Sequence, residues 1–221
     1  MKTIAIIPAR GNSKRLPNKN IKLLDGLPLL VHSINYAKQF DFIDAIYVTT
    51  DDDEIKAIAL QHEVFVVDRP KHLSGDFEPT VTALKYVLEF IDEDVENVVL
   101  LQPTNPLRPK DLLTEAFQLY IKNNCDSLFT VSQNHQKFGT IKNDIFKPFN
   151  YKVGQRSQDL EPLYFENGLL YFTKSKCILS NEIITKNAFP LIINHPFASI
   201  DIDTQEDFYL AEFMINKYKD E

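Results

Sequence analysis

Cysteine is scarce in this chain. Cys125 and Cys177 are the only two among 221 residues, and their spacing is not that of a metal-binding pair. That excludes a disulfide framework and suits a reducing, cytoplasmic setting; Cys125 reads as a small core residue rather than a nucleophile. Long hydrophobic runs are missing too. The apolar stretch at residues 3–7 is cut off by Pro8 and Arg10, too short for a signal h-region, and no other stretch is long enough to cross a bilayer. Positive charge is in deficit: the formal net charge of −7 argues against general affinity for nucleic acid or an anionic membrane. Neither Gly-x-x-x-x-Gly-Lys-[Ser/Thr] nor Gly-x-Gly-x-x-Gly occurs, which disfavours P-loop and nicotinamide-cofactor enzymes. The five histidines form no metal-spaced cluster. There is no repeat, low-complexity tract or linker, so residues 1–221 are expected to form one domain.

What the chain does have is alternation. Runs at 3–7, 45–49, 64–67, 98–101 and 128–131 are rich in β-branched and aromatic residues and have strand length. Between them, 29–39, 53–62, 80–91 and 109–123 carry apolar residues near i, i+3, i+4 spacing. Pro109 suits a first helical turn, and Asp111 would complement the dipole there. This order implies an α/β fold with a mostly parallel sheet and helices on both faces. The pattern breaks at 132–165, a polar stretch with Pro148 and Pro162 and no sustained period. A segment so long is either functional or packs on a partner. Strand signals resume at 168–173 and 190–193. Asp203 or Thr204 would cap a last helix at 205–218, with Phe208, Ala211, Phe213 and Ile215 facing inward.

Against the acidic background, the segment after the first strand stands out. From Pro8 to Lys22 it holds Arg10, Lys14, Arg15, Lys19 and Lys22 and no acid. A basic run is ordinarily a solvated loop. This one lies at the carboxyl end of a strand, where open α/β sheets bind ligands. Gly11 permits close backbone approach and Asn12 tolerates left-handed φ. Such a turn can aim N–H groups at an anion while Arg10, Lys14 and Lys19 neutralise a triphosphate.

Other segments have two readings each. Gln102-Pro103-Thr104-Asn105-Pro106-Leu107-Arg108 is either a rigid strand-to-helix turn or a wall that bonds a base or sugar hydroxyl through Gln102 and Thr104. Asp76 with Thr80 is a helix-entry cap or a ligand contact. Asp201 and Asp203 flank Ile202; on an extended segment both carboxylates share a face and can hold one hard cation, although an acidic pair before a helix is more often a cap. A triphosphate site requires Mg²⁺, which favours the metal reading. Glu166-Asn167-Gly168 is by itself a turn signal.

Together these residues resemble the acylneuraminate cytidylyltransferases, also called CMP-sialic acid synthetases. The matching segments run from Ile7-Pro8-Ala9-Arg10-Gly11-Asn12-Ser13-Lys14-Arg15 and Asn18-Lys19-Asn20 through Thr50-Asp51-Asp52, Arg69-Pro70 to Asp76, and the Leu101–Arg108 block. They continue with Gln158-Asp159-Leu160, residues 166–171 and 199–207, in the family's order and over nearly the whole chain. The resemblance implies a Rossmann-like nucleotidyltransferase fold and a homodimer in which the 132–165 arm crosses to cover the neighbour's sugar site. It implies that Arg10, Gly11, Asn12, Ser13, Lys14, Lys19 and Asn20 hold CTP, with Thr80 and Gln102 near the nucleotide or sugar. Asp201 and Asp203 match metal-binding acids for Mg²⁺ (or Mn²⁺), and with Lys19 they form the expected catalytic set. Gln158 and Tyr171 fall in the sugar-side segment, where Arg156 and Asn167 are further candidates. Two positions depart from the pattern: Asn12 stands where many members have a second glycine, and Arg156-Ser157 where many have paired arginines. The expected reaction is attack by the anomeric C2 hydroxyl of a sialic-acid-type sugar on the α-phosphorus of CTP, releasing pyrophosphate. The rivals are a cytidylyltransferase for 3-deoxy-manno-octulosonate, against which the Gln102–Arg108 block tells, and a non-catalytic nucleotide-binding module.

Overall fold

Thr3–Pro8 (β1) is apolar almost without interruption because the sheet it enters is covered on both faces, and its residues Thr3 to Ile7 are buried. The computed structural model describes residues 1–11, 13–91 and 93–218. After β1 come a minimal hairpin, β2 (Leu23–Leu24) and β3 (Leu27–Pro28), then α1 (Leu29–Ala37) and β4 (Ala45–Thr50). Next are α2 (Asp53–Gln61), β5 (Phe65–Asp68), α3 (Thr80–Phe90), β6 (Asn97–Leu100) and α4 (Leu112–Asn123). The remainder is β7 (Ser127–Asn134), β8 (Gly139–Lys142), β9 (Ile145–Pro148), β10 (Leu163–Lys174), α5 (Ser175–Leu179), β11 (Ala188–Ile192) and α6 (Gln205–Lys217).

Seven strands form one sheet in the order β11-β7-β10-β6-β1-β4-β5. β10 runs antiparallel to both neighbours; the other pairs are parallel. The chain winds outward from β1 through β4 and β5, then returns to β6 on the other side of β1. Strand order therefore reverses at β1 and β6, and the loops leaving their carboxyl ends diverge to open a crevice. Helices α1, α2 and α4 bury Leu30, Ile34, Ile55, Ala59, Leu113 and Ala116 on one face, while α3 and α5 bury Leu84, Val87 and Ile178 on the other. A third cluster joins Leu16 of the basic loop, Leu107, Ile200, Ile202 and the inner face of α6. Distant segments thus converge on one edge.

Three expectations are corrected. Helix α4 begins at Leu112, so Pro109 lies before it; the Tyr36 hydroxyl accepts from Leu113 N–H and donates to Pro109 O. The inner face of α6 is Phe208, Ala211 and Met214, with Ile215 packed against it as expected, and Phe213 is exposed. The 132–165 segment is far from irregular. β7 and β10 pair out to Asn134 and Leu163, and β8 and β9 form a separate hairpin between them. That hairpin is exposed and presents Ile141, Ile145 and Phe146, with Phe149 beside it; its side chains lack the alternation that a half-buried strand shows.

Candidate active site

The crevice holds a cleft of about 280 Å³ between the basic loop, the β5–α3 loop and the start of the Gln102–Arg108 segment. Of the expected residues, Arg10, Ser13, Lys14, Lys19, Asn20, Thr80, Gln102 and Asp203 line it. Asn12 lies outside the described residues. Gly11 has its back to the cleft: a Cβ there would sit 2.5 Å from Asp52 Oδ2, so the close approach is to an acid of the neighbouring loop. Gly11 N–H also donates to Asp51 at 3.1 Å, and Asp52 caps α2. The loop is thereby held against two carboxylates, and among its described residues Asn18 is left-handed. Asn20 ties the loop to itself, donating from Nδ2 to Arg10 O at 2.9 Å.

The cap reading of Asp203 fails at the start of α6. The cap of α6 is Thr204, in a reciprocal box with Asp207, which also accepts from Asp203 N–H. Asp203 is not the cap. Its carboxylate instead accepts from buried Lys19 Nζ at 2.9 Å and from Arg15 Nη2 at 2.6 Å. Lys19 also donates to Ile202 O at 2.8 Å, leaving one of its three N–H groups for a ligand. Ile202 is buried between the two acids; Asp203 lines the cleft, and Asp201 is not among its lining residues. Asp201 is surface-exposed, yet loss of solvation pushes its carboxyl pKa up, against a hydrogen bond from Thr104. A carboxylate in that state gains from a nearby cation.

At the other wall, Asp76 does not cap α3, whose N-cap is Pro79 without a side-chain bond. It pairs with Arg10 at 3.1 Å and with Lys14; the Lys14 contact above all holds its pKa below the usual aspartate value. Arg10 also donates to Gly75 O at 3.0 Å. The α3 N-terminus, with Thr80 at its first position, opens on the cleft with no side-chain cap, an arrangement that favours anions.

Arg69 was not among the expected site residues. It lies just past β5, is 8% exposed and lines the cleft. Its Nε and Nη2 have no hydrogen-bond partner, and Asp51 stands 4.0 Å away. Desolvation lowers its pKa. Two unsatisfied donors on a buried guanidinium are costly unless a ligand accepts from them. The sequence signal was Arg69-Pro70 at a strand end, a segment that carries the family resemblance without marking the arginine as a ligand contact.

The sugar-side candidates do not gather in this cleft. Asn167 is buried, its Oδ1 accepting from the Thr130 hydroxyl and Leu169 N–H and its Nδ2 donating to Ser132, at the bulge between Glu166 and Tyr171. Tyr171 is buried too, its hydroxyl 3.3 Å from Glu166 Oε2, and burial raises its pKa. Arg156 is exposed on the arm and forked onto Asp159 at 2.8 and 2.9 Å, with Gln158 beside it.

A family model described as cytidylyltransferase matches residues 4–220. The chain belongs to the cytidylyltransferase family. This cytidylyltransferase is 33% identical to a pseudaminic acid cytidylyltransferase of Campylobacter jejuni, over 97% of its own length and 96% of that protein. It is 34% identical to a CMP-N,N'-diacetyllegionaminic acid synthase of Legionella pneumophila, over 96% and 95%. It is also 34% identical to an N-acylneuraminate cytidylyltransferase of Streptococcus agalactiae, over 94% of this chain but 52% of that longer protein. Among solved structures, a CMP:2-keto-3-deoxy-manno-octonic acid synthetase complexed with CTP matches with a TM-score of 0.74 at 15% identity, covering 98% and 99% of the two chains. A 4-diphosphocytidyl-2C-methyl-D-erythritol synthase from Anaerococcus prevotii matches at 0.69 and 16%. The fold of this cytidylyltransferase is thus the α/β nucleotidyltransferase fold, and the chain is an enzyme.

Proposed function

We propose that this enzyme transfers CMP from CTP to a nine-carbon 2-keto sugar acid of the sialic-acid type and releases pyrophosphate. The observation that carries the reading is the cleft at the strand-order reversal, with cations and a helix N-terminus on one side and Asp203 on the other, in a chain whose similar relatives are named for pseudaminic, legionaminic and neuraminic acids. The acceptor's C2 hydroxyl attacks the α-phosphorus, the bond to pyrophosphate breaks, and the hydroxyl proton leaves to solvent or base. Arg10 and Lys14 take the outer phosphates by exchanging Asp76 for them, and the α3 N-terminus adds its N–H groups. Arg69, a buried cation on the cleft wall, offers its unpaired donors to the nucleotide. The third N–H of Lys19 meets the phosphate next to Asp203. No covalent enzyme intermediate is required, so positioning and charge neutralisation account for the rate.

The acidic pair fits a magnesium ion. Mg²⁺ is commonly held by one or two carboxylates together with substrate phosphates and water, and Asp203 lines the cleft with Asp201 two residues away across buried Ile202. Bound there, Mg²⁺ (or Mn²⁺) would add charge stabilisation at the α-phosphate.

Arg10→Ala is expected to weaken CTP binding by about 1.5 kcal/mol, the low end for a charge-assisted hydrogen bond, because wild-type Arg10 must first leave Asp76. Calorimetric titration reads this, and unchanged affinity removes Arg10 from the site. The arm bears on assembly. Its exposed Ile141, Ile145, Phe146 and Phe149, and the placing of Arg156 and Gln158 outside the cleft, support a homodimer in which each arm serves the other subunit. Replacing residues 139–148 by a short turn should give monomers with an impaired acceptor KM and nearly normal CTP binding. A wild-type chain that scatters as a monomer at micromolar concentration contradicts this.

The acceptor panel tests the reaction itself. Neuraminate-, legionaminate- and pseudaminate-type sugars should each be compared by kcat/KM, with the eight-carbon octulosonate and a hexose 1-phosphate as controls. Transfer to at least one nine-carbon acid and negligible transfer to the hexose phosphate is the expected pattern, because a site built with donors for a carboxylate rejects a substrate that leaves them unpaired. Octulosonate preferred by tenfold, about 1.4 kcal/mol in transition-state binding, assigns the enzyme to the rival acceptor.

A further inference from the structure

One buried amide ties together the parts of the site that the sequence keeps far apart. Asn105 is 1% exposed. Its Nδ2 donates to Ile200 O at 2.8 Å and to Asn167 O at 3.1 Å, so its two N–H groups serve two distant segments. Its Oδ1 accepts from the Thr104 hydroxyl at 3.2 Å. The bulge of β10 is shaped around it: Gly168 has φ +77°, and a Cβ there would lie 2.7 Å from Asn105 Oδ1. One residue earlier, Thr104 O accepts from Ile202 N–H at 2.8 Å. Asp201 is therefore tethered on both sides by one dipeptide, Ile200 O by Asn105 and Ile202 N–H by Thr104. The Thr104 hydroxyl also stands within bonding reach of the Asp201 carboxylate, and its single proton serves one acceptor at a time. Thr104 meanwhile lines the nucleotide cleft.

We infer that Asn105 is the positioning residue that sets Asp201 and Asp203 against the bound nucleotide and couples them to the β10 bulge. This rests on the proposed role of those acids as cation ligands. A buried hub that only filled space would not need two directed donors. Here both point at carbonyls whose placement fixes the acidic segment, and displacement of a reacting geometry by about 1 Å can cost 10²-fold in rate.

The test compares wild type, Asn105→Ala and Asn105→Ser, which keeps one shorter donor, with Asp201→Asn as reference. Mn²⁺ affinity is read by electron paramagnetic resonance in the presence of CTP and without acceptor; CTP affinity is read by calorimetry without divalent cation; kcat and melting temperature follow. Asn105→Ala should bind Mn²⁺ at least tenfold more weakly and lose 10- to 100-fold in kcat. Its metal-free CTP affinity should stay within twofold, because Arg10, Lys14 and Arg69 do not touch Asn105. Asn105→Ser should recover part of both losses, and it carries the comparison if the alanine variant does not fold. A lowered melting temperature with unchanged Mn²⁺ affinity and kcat makes Asn105 merely structural and overturns the inference. Equal loss of metal-free CTP binding places it in the nucleotide wall and overturns it too. Should Asp201→Asn leave Mn²⁺ binding untouched, the metal reading fails, and the kcat loss at constant metal-free CTP affinity still decides the case for Asn105.

Discussion

Asp203→Asn folds and turns over at least 10³-fold more slowly, which corresponds to about 4 kcal/mol in the barrier. The fold survives because the cap of α6 belongs to Thr204 and Asp207, and because Ile202 and Phe208 still anchor the segment. The asparagine keeps an oxygen for Lys19 but loses the charge that balances it. Lys19 is mostly buried and its contact with Asp203 is 2.9 Å, while Asp203 is about a third exposed. Breaking a fully buried pair costs 3–5 kcal/mol; with this exposure a loss of about 1–2 kcal/mol is expected, a few degrees in melting temperature. The rate suffers more, since the carboxylate both orients Lys19 toward the phosphates and offers hard oxygen to a divalent cation. Pyrophosphate release at saturating CTP and Mg²⁺, beside a thermal melt, measures the two effects separately. In wild type, a chelator should abolish the same activity and Mg²⁺ or Mn²⁺ restore it. Near-normal turnover in the variant would leave Asp203 as a structural partner of Lys19.

The parts of this molecule that were legible in sequence are those governed by local rules. Strand runs and helical periods set the elements of the sheet to within a few residues, because β1, β4 and β6 are buried on both faces and read as largely apolar runs. The basic loop was legible because five cations in an acidic chain need an explanation. What escaped depends on distant partners. Gly11 looked like a place for a ligand and is shaped by Asp52, forty-one residues away. Asp203 and Thr204 were equal candidates for the cap because sequence shows only that both precede a helix; the box between Thr204 and Asp207 that selects Thr204 becomes visible once the side chains are placed. Asn167 read as a substrate donor, and it is the bulge geometry of β10 that turns its amide inward. The arm looked irregular because the hairpin of β8 and β9 exposes both its faces, so no period-two pattern marks it. Asn105, Arg108 and Arg69 share this blindness. Arg108 is buried with its guanidinium on Leu169 O, Ser33 Oγ and Gln102 O, and desolvation brings its pKa down to about 10. It holds the nucleotide wall from behind, and no local pattern announces that.

Arg69→Met should raise the stability of the ligand-free enzyme and sharply weaken CTP binding, two changes of opposite sign from one substitution. In the free protein the guanidinium is buried with Nε and Nη2 unsatisfied, and each such group costs on the order of 1–3 kcal/mol. Asp51 at 4.0 Å offsets part of that cost. Methionine fills a similar volume without a polar atom, and Asp51 keeps the Gly11 N–H. A net gain of about 1 kcal/mol is expected, or roughly 2–4 °C for a chain of this size. Binding moves the other way. Pairing those donors with acceptors on the nucleotide relieves the penalty that the free protein carries, and hydrogen bonds to a charged group are worth about 1.5–3 kcal/mol each. Loss of two such bonds should cost about 100-fold or more in CTP affinity. Thermal melts with and without CTP read both effects in one experiment: the variant should melt higher than wild type when free and gain less when CTP is added. If the variant is less stable when free, Arg69 is a structural cation paired with Asp51. If its CTP-induced shift equals that of wild type, its donors do not face the nucleotide. Only a residue whose bonds are completed by the ligand gives the crossed result, because the stability it forgoes in the free protein is recovered on binding.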